Sequence, residues 1–239
     1  MPMLEGQNVT KYFGGLAAIS NVDFKVNDGE IVGLIGPNGA GKTTLFNLIS
    51  GAIPLKSGMI KFKDKEISGL RPHQICKLGI GRTFQLVKVF SHMSVFENVM
   101  CGALFGMPKA VSRNNAIKLS HELLDFMQLS GVRDVIVKDL TLVNQKKVEV
   151  ARALATQPKV LLLDELMAGL NSTEVAQSIE MVKRIREKGI TILMIEHVMS
   201  AIMAVCSRIM VLHHGVKIAE GTPQEVANNS KVIEVYFGE

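Results

Sequence analysis

The residues best placed for chemistry are a lysine inside a glycine-rich turn and two consecutive acids at the end of an apolar run. Gly36-Pro37-Asn38-Gly39-Ala40-Gly41-Lys42-Thr43 fits G-x-x-x-x-G-K-[ST] at every fixed position, and Thr44 adds a second hydroxyl. Glycines so spaced let the backbone wrap until its N–H groups face phosphate oxygens, and the helix that follows adds its positive end. Lys42 can neutralise β- and γ-phosphates and the Thr43 hydroxyl can ligate Mg²⁺; Thr44 is taken with them as part of the same binding loop. The second element is Val160-Leu161-Leu162-Leu163-Asp164-Glu165. Its apolar strand delivers Asp164, which can hold the Mg²⁺ shell, and Glu165, which can polarise an attacking water. A phosphate loop followed by an acid-ended strand points to hydrolysis of a nucleoside triphosphate, with ATP and Mg²⁺ as the bound groups.

These groups need strands to carry them and helices to cover the strands. Ile31–Ile35 reads as a buried strand, Thr43–Ser50 as a helix with Leu45, Leu48 and Ile49 inward, and Gly51 as its stop. Upstream, turns at Phe13-Gly14-Gly15 and Asn27-Asp28-Gly29 separate short strands. From Val87 to Val150 the pattern becomes helical: Ser94 can cap one helix, and Ile117, Leu123, Leu124 and Met127 mark one side of another. Strand and helix then alternate again. Ser172–Lys188 is a helix stopped by Gly189, Ile190–Ile195 a strand, Val198–Val205 a helix, and Ile209–Leu212 with Val216–Ala219 a hairpin before a last helix near Tyr236. The expected fold is α/β: a mainly parallel sheet core, an N-terminal antiparallel β part and an inserted helical lobe. One domain would span 1–239, with 1–86 and 151–239 as its core and 87–150 as the lobe.

Composition is that of a globular chain: 239 residues, 47% hydrophobic and 21% charged, enough to bury a sizeable core. The net charge of +5 is compatible with an anionic membrane face or nucleic acid, and equally with a solvated surface of mixed charge. Cys76, Cys101 and Cys206 are scattered and odd in number, which fits reduced thiols better than a disulfide or zinc framework. The first residues carry no leader pattern. The most apolar stretch, Ile190–Leu212, holds Glu196, His197, Ser200, Ser207 and Arg208, too many polar groups for a bilayer span. Work at a membrane would therefore need another subunit to cross it. The other histidines, His73, His92, His121, His213 and His214, have no ligand spacing, so no metal besides Mg²⁺ is expected.

Three further segments narrow the class. Gly81-Arg82-Thr83-Phe84-Gln85 follows the loop helix, Ala168-Gly169-Leu170-Asn171 follows Glu165, and Ile195-Glu196-His197 ends the next strand. Together these resemble the ABC ATPases, most closely the subfamily serving branched-chain amino-acid importers. The likeness runs from Thr10-Lys11-Tyr12-Phe13-Gly14-Gly15 to Val235-Tyr236-Phe237-Gly238-Glu239. It implies that Phe13, with Tyr12 as the other candidate, stacks on adenine. Gln85 would sense Mg²⁺ and the γ-phosphate and join the lobe to a transmembrane permease, His197 would contact the γ-phosphate, and Asn171 would touch a second ATPase subunit. It implies a peripheral subunit on the cytoplasmic face of the inner or plasma membrane that does not bind nucleic acid.

Two departures from the family pattern stand out. Where that pattern has Leu-Ser-Gly-Gly-Gln, this chain has Leu140-Thr141-Leu142-Val143-Asn144-Gln145, and Leu166 replaces the proline after Glu165. In the family, the residues at Thr141 and Val143 approach the ATP held by the opposite subunit. Filling both glycine places should strain or displace that contact, and losing the proline should loosen a turn. Binding at the chain's own loop is expected intact and the site completed for the partner weakened, which favours pairing with a different ATPase over a homodimer. The alternatives are an exporter ATPase of the lipopolysaccharide-transport kind, or an ATP-binding regulatory protein with little turnover.

Overall fold

The computed structural model describes residues 2–237; Met1, Gly238 and Glu239 lie outside the described residues. The chain opens with a long hairpin, β1 (Pro2–Phe13) and β2 (Leu16–Asn27), where the sequence suggests shorter strands. Shifts in pairing register, between Gly6 and Val9 among other places, bend this hairpin without ending it. Then come β3 (Ile31–Ile35), α1 (Lys42–Ile49), β4 (Ser57–Phe62), β5 (Lys65–Glu66), α2 (Pro72–Leu78) and β6 (Ile80–Arg82). Three helices follow: α3 (Val95–Phe105), α4 (Arg113–Phe126) and α5 (Leu142–Ala155). The chain continues through β7 (Val160–Asp164), α6 (Ser172–Glu187), β8 (Thr191–Ile195), α7 (Met199–Val205), β9 (Arg208–His213), β10 (Val216–Gly221), α8 (Pro223–Ala227) and α9 (Ser230–Phe237).

Two sheets result. One is antiparallel, in the order β2-β1-β4-β5; the other runs β10-β9-β3-β8-β7-β6 and is parallel except at the β9–β10 hairpin. All five residues of β3, β7 and β8 are buried, as an apolar run covered on both faces requires. Alternation along each strand feeds two cores. Ile31, Ile35, Leu161 and Leu163 pack with α3–α7, while Val32, Leu34, Val160 and Leu162 pack with α1 and the antiparallel sheet. Because β8 lies between β3 and β7, the loop after β3, the end of β7 and the end of β8 share one sheet edge.

The helical stretch is built largely as its sequence suggests. Ser94 caps α3 in a reciprocal pair with Glu97. On α4 the buried positions are Ala116, Ser120, Leu123 and Leu124, and Ile117 is only half-buried, because the small Ala116 and Ser120 let α4 lie close against its neighbours. A border at 150/151 falls inside α5, which continues unbroken to Ala155. Among the described residues, no helix is long and apolar enough to cross a membrane.

Candidate nucleotide site

Two glycines allow the turn after β3 to close. Gly36 has φ 150° and a Cβ there would stand 2.1 Å from the Leu212 carbonyl oxygen; Gly41 has φ 104° and its Cβ would meet the Ala18 carbonyl at 2.5 Å. Only glycine fits either place. The turn is braced from outside: Gly215 N–H donates to Ala40 O at 3.0 Å, and Ser20 N–H to Gly215 O at 2.8 Å. Lys42 starts α1, is buried, and donates from Nζ to the carbonyls of Gly36 (2.7 Å) and Pro37 (3.0 Å). Burial lowers its pKa from the ordinary lysine value, opposed by the carboxylates of Glu165 and Asp164.

A cleft of about 530 Å³ opens above this turn. Phe13, Leu16, Ala17 and Ala18 from the β1–β2 hairpin line one side, Asn38 to Thr44 the floor, and Gln85, Glu165 and His214 the remainder. Phe13 lines it and Tyr12 does not; Phe13 is half exposed, with Lys11 Nζ 5.3 Å from its ring centroid. Sequence reasoning passed over Leu16–Ala18 and His214, since only the folded hairpins bring them to the loop.

Glu165 sits at the centre of a polar cluster. Gln85 Nε2 donates to its Oε2 at 3.1 Å, and His197 Nε2 lies 3.0 Å from its Oε1. The three partners come from the ends of β6, β7 and β8, so the parallel sheet places them together. Glu165 holds a left-handed backbone (φ 51°), an uncommon state for a non-glycine residue. Its N–H donates to Ile195 O at 2.9 Å, and its carbonyl accepts from Lys146 Nζ at 3.1 Å. Lys146, buried on α5, also donates to Leu166 O (2.9 Å) and Ala168 O (2.7 Å). Glu196 Oε1 accepts from Met167 N–H at 2.8 Å.

Those bonds correct one expectation. With Leu166 in place of proline the turn is not loose: a lysine and a glutamate fix its backbone, and the Leu166 side chain is buried in the core. A second correction concerns Leu142 and Val143. They are the first two residues of α5, in regular helix, so the backbone there is unstrained. Thr141 caps the helix without a side-chain bond, Thr141 and Leu142 are exposed, and Asn144 is half-buried. Any obstruction comes from side-chain bulk at the helix start. Asn171 caps α6, its Oδ1 accepting from Glu174 N–H at 3.0 Å.

Asp164 is buried at the end of β7. Arg82 Nη2 lies 3.1 Å from its Oδ2, Thr83 Oγ1 is bonded to its N–H at 3.1 Å, and its Oδ1 has no partner among the described residues. Burial raises its pKa against the lowering pull of Arg82. Arg82 lies three residues before Gln85, and no local pattern in the sequence marks it as part of the site. Glu149, also unforeseen, holds the chain on both sides of Gln85 by accepting from Phe84 N–H at 3.4 Å and Lys88 N–H at 2.8 Å.

Residues 19–168 match the ABC transporter family. This chain belongs to that family. Residues 216–239 also match the family described as branched-chain amino acid ATP-binding cassette transporter. The cassette is 36% identical to the high-affinity branched-chain amino acid transport ATP-binding protein BraF of Pseudomonas aeruginosa, over all of this chain and 98% of the relative. It is also 36% identical to the lipopolysaccharide export system ATP-binding protein LptB of Escherichia coli, with the same coverage. Among solved structures, the ADP conformation of an ABC transporter's ATP-binding cassette is similar at 32% identity and a TM-score of 0.89, each chain covering all of the other. The fold is thus that of an ATP-hydrolysing, nucleotide-binding cassette, and the chain is an ABC transporter's ATP-binding subunit. Such subunits dimerise and work with transmembrane permeases.

Proposed function

We propose that this cassette binds Mg-ATP in the cleft over Gly36–Thr44 and drives uptake of branched-chain amino acids or similar solutes from the cytoplasmic face of the membrane, paired with a different ATPase subunit. The observation that carries the catalytic part is Glu165, gripped by Gln85 and His197 beside Lys42 and Thr43. Phe13 offers its face to the base, and the N–H groups of Gly39–Thr44 face the phosphates. Lys42 can exchange its two loop carbonyls for phosphate oxygens with little loss of bonding. Glu165 takes the proton of the attacking water, His197 orients the carboxylate, and the left-handed turn keeps Glu165 aimed at the cleft.

The residues fit a magnesium ion. Asp164 Oδ1 is a buried carboxylate oxygen without a protein partner, which a cation would satisfy, and hard oxygen donors are what Mg²⁺ prefers. Thr43, Asp164 and Gln85 would hold it, and it would supply neutralisation of phosphate charge.

Import is favoured over export by the carboxyl-terminal match at 216–239, since overall identity to BraF and LptB is equal. Pairing with a different ATPase rests on Leu142 and Val143, whose side chains thicken the start of α5. The test is to purify the chain alone and measure Mg-ATP binding and steady-state hydrolysis, with Lys42→Ala as control. Lys42-dependent binding with slow turnover that a second ATPase subunit accelerates is the expected result. Binding indifferent to Lys42 overturns the site, and brisk turnover by the chain alone overturns the mixed dimer.

A further inference from the structure

We infer that Arg82 is the positioning residue for the metal-binding carboxylate: it holds Asp164 Oδ2 so that Oδ1 alone is presented to the nucleotide's Mg²⁺. This rests on the ATP-binding reading above and goes beyond it. Arg82 is the last residue of β6, the neighbour of β7, and its side chain is almost as deeply buried as that of Asp164. Nη2 reaches Asp164 Oδ2 at 3.1 Å. Nη1 donates to Asn47 Oδ1 at 2.7 Å and to Ser50 Oγ at 2.8 Å. Both of these acceptors belong to α1 or its last turn, the helix that begins with Lys42 and Thr43.

One rigid guanidinium therefore ties the helix of Thr43 to the strand of Asp164. The rings of Phe46 and Phe84, with centroids 5.7 and 5.0 Å from its Cζ, restrict its movement. The consequence for the carboxylate is geometric. Rotation about the Cβ–Cγ bond would exchange the two oxygens, and pairing of Oδ2 with Arg82 arrests that rotation. Oδ1, buried and without a protein partner, is then fixed in place relative to Thr43. A metal ion held by few protein oxygens depends on such outer support, whose loss commonly weakens metal affinity about 10- to 100-fold. Lysine could not substitute fully, because a single ammonium does not span Asp164 and the two α1 acceptors as a planar fork does.

The full chain and its Arg82→Met and Arg82→Lys variants are compared for binding of a fluorescent ATP analogue in EDTA and across a Mg²⁺ titration. Electron paramagnetic resonance of the Mn²⁺–ATP complex reports the metal directly. The expected result is that Arg82→Met binds nucleotide in EDTA as the parent does, yet needs about tenfold more Mg²⁺ or greater for half-effect. The Mn²⁺ signal should broaden or resemble that of free Mn²⁺–ATP, and Arg82→Lys should fall between. An unchanged Mg²⁺ requirement, or equal loss of binding with and without metal, overturns the inference. Should Arg82→Met fail to fold by circular dichroism, Arg82→Lys decides: parental Mg²⁺ dependence in that variant refutes the role. The parent and Lys42→Ala separate the two readings, since failure of Lys42-dependent binding removes the ATP reading itself, whereas parental Mg²⁺ dependence in Arg82→Met removes only this one.

Discussion

Replacing Glu196 with glutamine should stabilise the folded chain above neutral pH and flatten the pH dependence of its stability. Glu196 follows β8, is 2% exposed, and has one oxygen on Met167 N–H and the other without a partner. Burial pushes its carboxyl up to about 7 from 4.5, although the Met167 N–H and the Lys146 ammonium pull the other way. The native state thus holds this proton more tightly than the unfolded chain does. Its contribution to stability is full below about pH 4.5, is lost as pH rises toward 7, and is absent above that. Each pH unit of that interval corresponds to about 1.4 kcal/mol, giving a total of about 3 kcal/mol. Glutamine keeps the acceptor for Met167 N–H and never carries the charge. Urea unfolding of parent and variant, measured in steps from about pH 5 to about pH 8, isolates the effect, because other titrations cancel in the difference between them. The variant should gain over the parent as pH rises, by about 2–3 kcal/mol across that range. Parallel profiles would refute the reasoning.

Lys146→Met removes the donor to three carbonyls of the 165–168 turn and should cost about 3 kcal/mol in chemical denaturation. It should also slow hydrolysis with ATP affinity retained, since Glu165 loses its backbone anchor; unaltered kcat would contradict this. Restoring glycine at both Leu142 and Val143 should raise ATPase activity of the assembled complex by about tenfold or more. The same change should lower stability by about 1–2 kcal/mol through the first turn of α5, and a complex no more active would show that bulk there is not the obstruction. Gly36→Ala should destabilise by about 2 kcal/mol or more and Gly39→Ala by about 1 kcal/mol. The difference arises because a Cβ meets the Leu212 carbonyl at position 36 and nothing within 4 Å at 39; equal melting shifts would contradict it.

The phosphate loop, β3, α1 and β7 could be read from the chain because each is a local pattern: apolar runs bounded by glycine, and a lysine and acids at fixed offsets. Ser94 and Gly189 likewise act within a turn of their own helices. What escaped was long range. Arg82 and Asp164 are 82 residues apart, and Lys146 meets carbonyls 19 to 22 residues further on. Neither contact leaves a periodic trace, and a buried cation reads in sequence like an exposed one. Gln85 and His197 are 80 and 32 residues from Glu165, and only the family resemblance points to them. Leu166 shows the opposite error: the missing proline was visible, while the lysine and glutamate that hold the turn were not.

The altered residues are not spread evenly over the molecule. The groups lining the chain's own cleft keep phosphate-binding chemistry, from Asn38–Thr44 to Gln85 and Glu165. Thr141, Leu142 and Val143 line no part of that cleft; they form the outer end of α5, where Leu142 packs over Gly169 beyond the Glu165 turn. Apart from Leu166, whose turn is held by Lys146 and Glu196, the changes lie at one end of α5, as expected if the two ends of that helix face different nucleotides. On the proposed mixed dimer, the cleft of this chain is completed by a partner with unmodified glycines, and the partner's cleft is the one that Leu142 and Val143 obstruct. Lys146 lies one turn inside the same helix and holds the carbonyl of Glu165. The start of α5 and this chain's own catalytic turn are thus joined through a single side chain.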